Sequence, residues 1–184
     1  MSETDTRRET TRRPLPVIEA GRVMLRPLRA SDEGALTLFA SDPRVSRMTT
    51  SIPHPYPPGA AAAYLERQAR STRDRVWAID ATPSGSEALI GVIVVKKAET
   101  EIGYWLGPPF WRRGFMAEAA GALVDHLFRV EGIGRVTASV FADNPASARV
   151  LEKIGFTEDG ERLDFSVARG TQVMSRRFWR DRGE

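Results

Sequence analysis

EIGYWLGPPFWRRGFMAE, residues 101–118, is the stretch whose reading decides the fold of this chain. Ile102 to Leu106 is apolar and aromatic and reads as a strand, which Gly107-Pro108-Pro109 stops. A turn carrying Arg112-Arg113-Gly114 follows, and a helical pattern then starts with Glu118 in its first turns. A strand, a basic glycine turn and a helix in that order can hold an anion. The first N–H groups of a helix have no partner within it, and the macrodipole puts partial positive charge there. The stretch predicts a phosphate-bearing ligand at residues 112–117. The competing reading is an ordinary strand-to-helix connection with solvated arginines.

Working outward, Ala88 to Val95 (ALIGVIVV) is β-branched and almost wholly apolar, which predicts a central strand buried on both faces. Val76 to Ile79 is a short strand before it, with a turn at Thr82-Pro83-Ser84-Gly85, and a polar link, Lys96 to Thr100, leads into the opening stretch. Three strands with short links make an antiparallel meander. Downstream, a helix over 115–130 stops at Gly132-Ile133-Gly134, and Arg135 to Ala142 is the next strand. The strand–helix–strand unit from 101 to 142 requires a parallel, right-handed crossover. Asn144-Pro145 opens another helix with a cap residue and a proline at its first position; it runs to Ile154 and ends at Gly155. Phe165–Ala168 and Val173–Trp179 form a last pair of strands around Arg169-Gly170.

Toward the N-terminus, Val23 and Leu25 mark a strand ended by Pro27. Ser31-Asp32-Glu33 starts a helix with Leu36, Phe39 and Ala40 on its apolar face, ended by Asp42-Pro43. Thr49 to Pro58 reads as a loop, and Gly59 to Arg73 as an amphipathic helix with a charged outer face. The order β-α-α-β-β-β-α-β-α-β-β gives a mixed α/β (α+β) fold: a mainly antiparallel twisted sheet flanked by helices on both faces. Residues 1–14 are polar and aperiodic and read as a disordered tail. Residues 15–184 read as a single domain.

Composition narrows the function classes. The chain has 184 residues and no cysteine, which removes thiolate metal sites and a cysteine nucleophile. Its two histidines, His54 and His126, are too few for a His-rich metal site, so no metal is expected. No apolar run approaches the ~20 residues of a transmembrane helix. Residues 1–14 lack a signal-peptide core, so a cytoplasmic location is the expectation. The net charge is +3, carried almost entirely by arginine, since the only lysines are Lys96, Lys97 and Lys153. The arginines are interleaved with acids and form no basic block, so nucleic acid is not the partner this pattern favours. A high arginine content also follows from a GC-rich genome.

With these elements in order, the chain resembles the GNAT superfamily of acyltransferases, in its RimJ/RimL-like branch of ribosomal-protein N-terminal acetyltransferases. LRPLRASD, EIGYWLGPPFWRRGFMAEA and NPASARVLEKIGF carry the resemblance, which covers about residues 20–180. It implies acetyl-CoA as co-substrate, with the pyrophosphate on backbone amides of Trp111, Arg112, Arg113, Gly114, Phe115, Met116 and Ala117. Met116 stands where glycine or alanine is usual, so its side chain must point away from the phosphates. The resemblance further implies two splayed neighbouring strands, with pantetheine and thioester at Tyr104, Trp105 and Leu106, and Asn144 contacting CoA. Asn144 equally reads as a helix cap. Lys153 could meet a CoA phosphate or be a solvated helix-end lysine.

The expected reaction is transfer of the acetyl group to a primary amine, on a protein N-terminus or a small molecule, by direct attack on the thioester. A free alkylamine is protonated at neutral pH, so a base assists. Glu101 is the candidate, at the head of the strand face that also carries Gly103 and Trp105. Its competing role is a surface acid at a strand start. The resemblance makes the Leu106 N–H the oxyanion donor. No tyrosine follows Tyr104, although many superfamily members use one in the late helix as acid. Ser147 is the substitute, either protonating the thiolate or serving only the Asn144 cap. His54 could assist acceptor binding; His126 and the stripe of Leu123, Val124, Leu127 and Phe128 read as structural. Monomer and homodimer both remain open. A non-catalytic CoA-binding regulator on the same fold is the alternative function, and nucleic-acid binding through the arginines a third.

Overall fold

The computed structural model describes residues 15–71, 74–96 and 100–183. The tail assigned to residues 1–14 lies outside the described residues, as does the far end of the Gly59–Arg73 helix.

Eight strands form one sheet in the order β1-β2-β3-β4-β5-β6-β8-β7. They are β1 (Ile18–Ala20), β2 (Val23–Pro27), β3 (Asp74–Asp80), β4 (Gly91–Lys96), β5 (Glu101–Leu106), β6 (Arg135–Phe141), β7 (Thr157–Ser166) and β8 (Thr171–Asp181). The helices are α1 (Glu33–Ala40), α2 (Pro43–Ser46), α3 (Ala60–Arg70), α4 (Phe115–Arg129) and α5 (Pro145–Lys153). Every strand pairing is antiparallel except β5 with β6, the parallel pair that the crossover through α4 demands. The mixed α/β fold expected from the pattern of elements is the fold observed.

The core explains the placement of the central elements. β3 and β4 are nearly continuous apolar runs because they are buried on both faces; Trp77, Ala78, Ile79 and Ile93 are fully inaccessible. α4 packs against β1 and β2 and contacts α5. It buries Leu123, Val124, Leu127 and Phe128 as one stripe, its core role expected from helical spacing.

Three local readings change. Gly21, at φ +66°, and Arg22 make a two-residue turn between β1 and β2, a hairpin too short for its apolar pattern to stand out. Asp42-Pro43 ends α1 but also starts α2, because the Asp42 carboxylate accepts the Arg44 N–H at 2.8 Å. β7 begins at Thr157, not Phe165, while Val167 to Gly170 is the turn into β8. The residues 157–161 are exposed and polar, so they show no alternation; pairing with β8 makes them a strand, across an irregularity between Glu158 and Glu161.

LRPLRASD is a buried ionic anchor. Arg26 is 1% exposed and spends all five N–H donors. Its Nε meets Asp80 at 2.6 Å, its two terminal nitrogens grip Asp32 at 2.9 and 2.8 Å, and the remaining donors reach the carbonyls of Pro27 and Ala88. Asp32 also takes the Arg29 N–H at 2.7 Å. The motif thus ties β2, β3 and the start of α1 together behind the sheet.

Candidate active site

β5 organises the site through the direction of its backbone. The Gly107 N–H donates to Ile90 O at 2.8 Å, so this pair is hydrogen-bonded across β4 and β5. Antiparallel pairing alternates, so the N–H and C=O groups of Leu106 and Tyr104 project to the opposite edge, toward β6. There the parallel ladder stops. Its last registered pairs are Glu101 with Thr137 and Ile102 with Ala138, yet β5 continues to Leu106 and β6 to Phe141. The two strands therefore splay, and the polar backbone of Tyr104 and Leu106 faces the gap. The Leu106 carbonyl is covered by the Trp111 indole N–H at 2.8 Å. Its N–H points to the same edge, beyond the last registered β5–β6 pair, although Leu106 itself is buried and lines neither hollow. β4 lies so close on the other side that a Cβ at Gly91 would fall 2.2 Å from Trp105 O, which only glycine tolerates.

A cleft of about 190 Å³ opens along this gap. Glu101, Tyr104, Trp105, Asn144 and Ser147 all line it, so the structure brings these five expected residues together. Glu101 is 4% exposed. Its Oε1 accepts from Lys96 Nζ at 2.5 Å and its Oε2 from Arg162 at 2.8 Å. It is thus no surface acid, but both oxygens already hold charge-assisted partners. Lys96 is 41% exposed and on a flexible stem, whereas Arg162 is also tied to Asp164. Oε1 is the oxygen more readily released.

A tyrosine on β5 reaches the first turn of α5. Ser147 Oγ donates to Tyr104 Oη at 3.1 Å, and Tyr104 Oη donates to the Ser147 carbonyl at 3.1 Å. Burial pushes the Tyr104 phenol well above its ordinary value, with the Ser147 hydrogen bond pulling the other way, so it stays protonated. The Ser147 N–H meets Asn144 Oδ1 at 3.2 Å, which makes Asn144 the helix cap. Only its Nδ2 remains for a ligand. The Ser147 hydroxyl is not part of that cap.

A second, open depression of about 440 Å³ lies at the start of α4. Arg112, Arg113, Gly114, Ala117 and Lys153 line it together with Arg22 and Glu118. Arg112 sits at φ +60° and Gly114 at φ +85°, a twist that turns successive peptide groups and suits a concave row of N–H donors. Glu118 N–H closes the first helical bond, onto Gly114 O, so the N–H groups of Phe115, Met116 and Ala117 precede the ladder. Phe115 and Met116 side chains are buried in the core, which takes Met116 away from the depression. Trp111 lines neither hollow; it lies under Arg44 at 5.7 Å and straps the loop to β5.

Some of the surroundings carry no sequence signal. Arg22, Arg162, Asp164 and Ser175 reach the site only through the tertiary fold. Ser175 is 1% exposed, lines the cleft, and its hydroxyl has no hydrogen-bond partner among the described residues. His54 is exposed and outside the cleft wall, to which Ile52 and Tyr56 contribute instead. His126 lies 3.4 Å from Glu131, outside the site. Among the described residues no cluster of His, Asp and Glu could hold a metal, and no helix is long and apolar enough to cross a membrane.

Known proteins share this fold. The chain is 31% identical over 166 residues to the uncharacterized N-acetyltransferase YoaA of Bacillus subtilis, covering 85% of this chain and 91% of that protein. A GNAT-family acetyltransferase from Bacillus anthracis superposes with a TM-score of 0.79 at 22% identity, covering 92% of this chain and all of that one. RimL, a ribosomal L7/L12 alpha-N-protein acetyltransferase solved with coenzyme A, gives 0.76 at 19% identity over 90% of this chain and 98% of its own. The model of the acetyltransferase (GNAT) domain matches residues 22–157. A parallel pair that splays beside a basic helix start is thus the framework of an acetyltransferase, and this chain belongs to the GNAT acetyltransferase family.

Proposed function

We propose that this enzyme is an acetyl-CoA-dependent N-acetyltransferase that acts on a primary amine, either a protein N-terminus, as in the RimJ/RimL-like branch it resembles, or a small molecule. The observation that carries the reading is the splayed β5–β6 pair, whose register ends at Ile102 with Ala138, one loop away from the basic depression lined by Arg112, Arg113 and Gly114. These residues fit the coenzyme's chemistry. Backbone N–H groups and arginines suit a pyrophosphate, and the polar edges of a splayed strand pair suit an amide-bearing arm.

In this reading acetyl-CoA supplies the activated acyl group. The amine enters the cleft beside Glu101 and loses its proton to Oε1 once Lys96 moves aside, directly or through water. The neutral nitrogen attacks the thioester carbonyl, whose developing oxyanion accepts a hydrogen bond from Leu106 N–H. As the C–S bond breaks, the thiolate takes a proton from the Ser147 hydroxyl, which is replaced from the Tyr104 phenol, and the surplus proton on the acylated nitrogen returns through water to that hydroxyl pair. The pyrophosphate contacts of Trp111 to Ala117 hold the coenzyme while Asn144 fixes the first turn of α5.

The test pairs calorimetric titration of CoA with thioester consumption across a panel of peptide N-termini and small amines, with products identified by mass spectrometry. Micromolar CoA binding and turnover with at least one amine are expected. If CoA binds and no amine supports turnover, the catalytic reading fails and a CoA-binding regulator replaces it; if CoA does not bind, both fail.

A further inference from the structure

The turn between β1 and β2 reaches across the molecule to the helix start that forms the basic depression. Arg22, on that turn, makes four polar contacts there. Its backbone N–H donates to Glu118 Oε2 at 3.0 Å, and its Nε and Nη2 donate to Glu118 Oε1 at 2.9 and 2.5 Å. The same Nη2 donates to the Arg113 carbonyl at 2.7 Å. The guanidinium also lies over the Phe115 ring, 4.8 Å from its centroid. Two glycines with positive φ leave room for this arrangement. A Cβ on Gly21 would meet the Glu118 carboxylate at 3.1 Å, and one on Gly114 would meet Arg22 Nη2 at 3.1 Å.

Stability does not account for this construction. The Arg22 side chain is 52% exposed and that of Glu118 31%, and such ion pairs contribute little to folding. Its geometric consequence is larger. A peptide group is planar and trans, so its C=O and N–H point in opposite directions. By holding the Arg113 carbonyl, Arg22 fixes which way the Gly114 N–H points. That peptide precedes Gly114, whose lack of a Cβ permits either sign of φ, so a concerted rotation of Arg113 ψ and Gly114 φ could turn it over and exchange an N–H for a carbonyl at an anion site.

We propose that Arg22 is a positioning residue, a latch that holds the 113–114 peptide in its anion-accepting orientation and is itself aimed by Glu118. The inference rests on the reading of this depression as the coenzyme's phosphate site. It separates Arg22 from a plain positive charge. As a charge, Arg22 is replaceable by lysine, and removing the nearby acid at Glu118 should tighten binding of a polyanion. As a latch, Arg22 needs the planar fork that spans a carboxylate and a carbonyl, which lysine lacks, and loss of Glu118 releases it.

The experiment measures CoA affinity by calorimetry and amide hydrogen exchange of the ligand-free protein over residues 112–117, for wild type, R22A, R22K and E118A. The latch predicts that all three variants bind CoA roughly tenfold or more weakly, about the loss expected when a charge-assisted hydrogen bond is removed. It also predicts faster exchange in that segment before any CoA is added. R22K binding like wild type, or E118A binding more tightly, overturns it in favour of simple charge. If wild type fails to bind CoA, the phosphate-site reading falls, and exchange still judges the latch: unchanged protection in R22A refutes it.

Discussion

The hydroxyl of Ser147 donates to the phenol oxygen of Tyr104 at 3.1 Å, joining β5 to the first turn of α5 across 43 residues of chain. Two hydroxyls in contact can exchange roles. If Tyr104 turns its proton onto Ser147 Oγ, the serine proton becomes free to serve another acceptor in the cleft. Y104F and S147A should each lower kcat by about a hundredfold to ten-thousandfold, the range of a positioned proton donor. The double variant should be no worse than the more impaired single one, because members of one unit are not additive. Steady-state kinetics with free-thiol detection reads this directly. Additive losses would show that the two hydroxyls act separately.

Glu101 tests the base. E101Q keeps the shape and one acceptor oxygen but cannot take a proton, so kcat/KM should fall by about a hundredfold or more. K96A should weaken CoA binding far less than R22A, because Lys96 lies in the cleft and not in the depression. It should not lower turnover as E101Q does, since it only frees Oε1. If E101Q retains full activity, another group or bulk water deprotonates the amine.

Much of this site was legible in the sequence because it is built from contiguous segments. A strand, a glycine turn and a helix start follow one another in residues 101–118, and local signals suffice for them. Asn144 likewise declared itself as a cap through the proline behind it. What was not legible is whatever depends on distant chain. Nothing about Arg22 in a run of ordinary residues announces that it meets Glu118, 96 positions away. The Lys96 and Arg162 partners of Glu101, and the contact of Tyr104 with Ser147, arise only when β4, β5, β7 and α5 converge. The N-terminal half of β7 was hidden for a different reason: an exposed, charged strand shows no alternation to read.

The buried ion cluster makes a prediction about pH. Burial raises the Asp80 carboxyl, but hydrogen bonds from Thr82 and Arg26 outweigh that and hold it below the usual carboxylate range. A group depressed in the folded state adds stability above its unfolded pKa, near 3.9, and that contribution disappears as pH falls through the folded value. D80N should therefore cost about 3 kcal/mol at neutral pH, and the gap between wild type and variant should narrow in urea titrations below about pH 4. A gap independent of pH would mean that the hydrogen bonds, not the charge, matter at this position.

Ser175 should respond in the opposite direction to most core truncations. Its hydroxyl is buried with no hydrogen-bond partner among the described residues, and Ser175 pairs with Arg162 on β7 and Phe141 on β6. An unpaired buried hydroxyl costs about 1–3 kcal/mol, while the single oxygen that S175A removes leaves almost no cavity. S175A should therefore raise the thermal midpoint, by a few degrees for a gain of about 1 kcal/mol in a domain of this size. Ser175 is among the residues that line the cleft, so the same substitution should lower kcat/KM for the amine if bound substrate is what satisfies its hydroxyl. A fall in the thermal midpoint would show instead that Ser175 is satisfied within the folded protein.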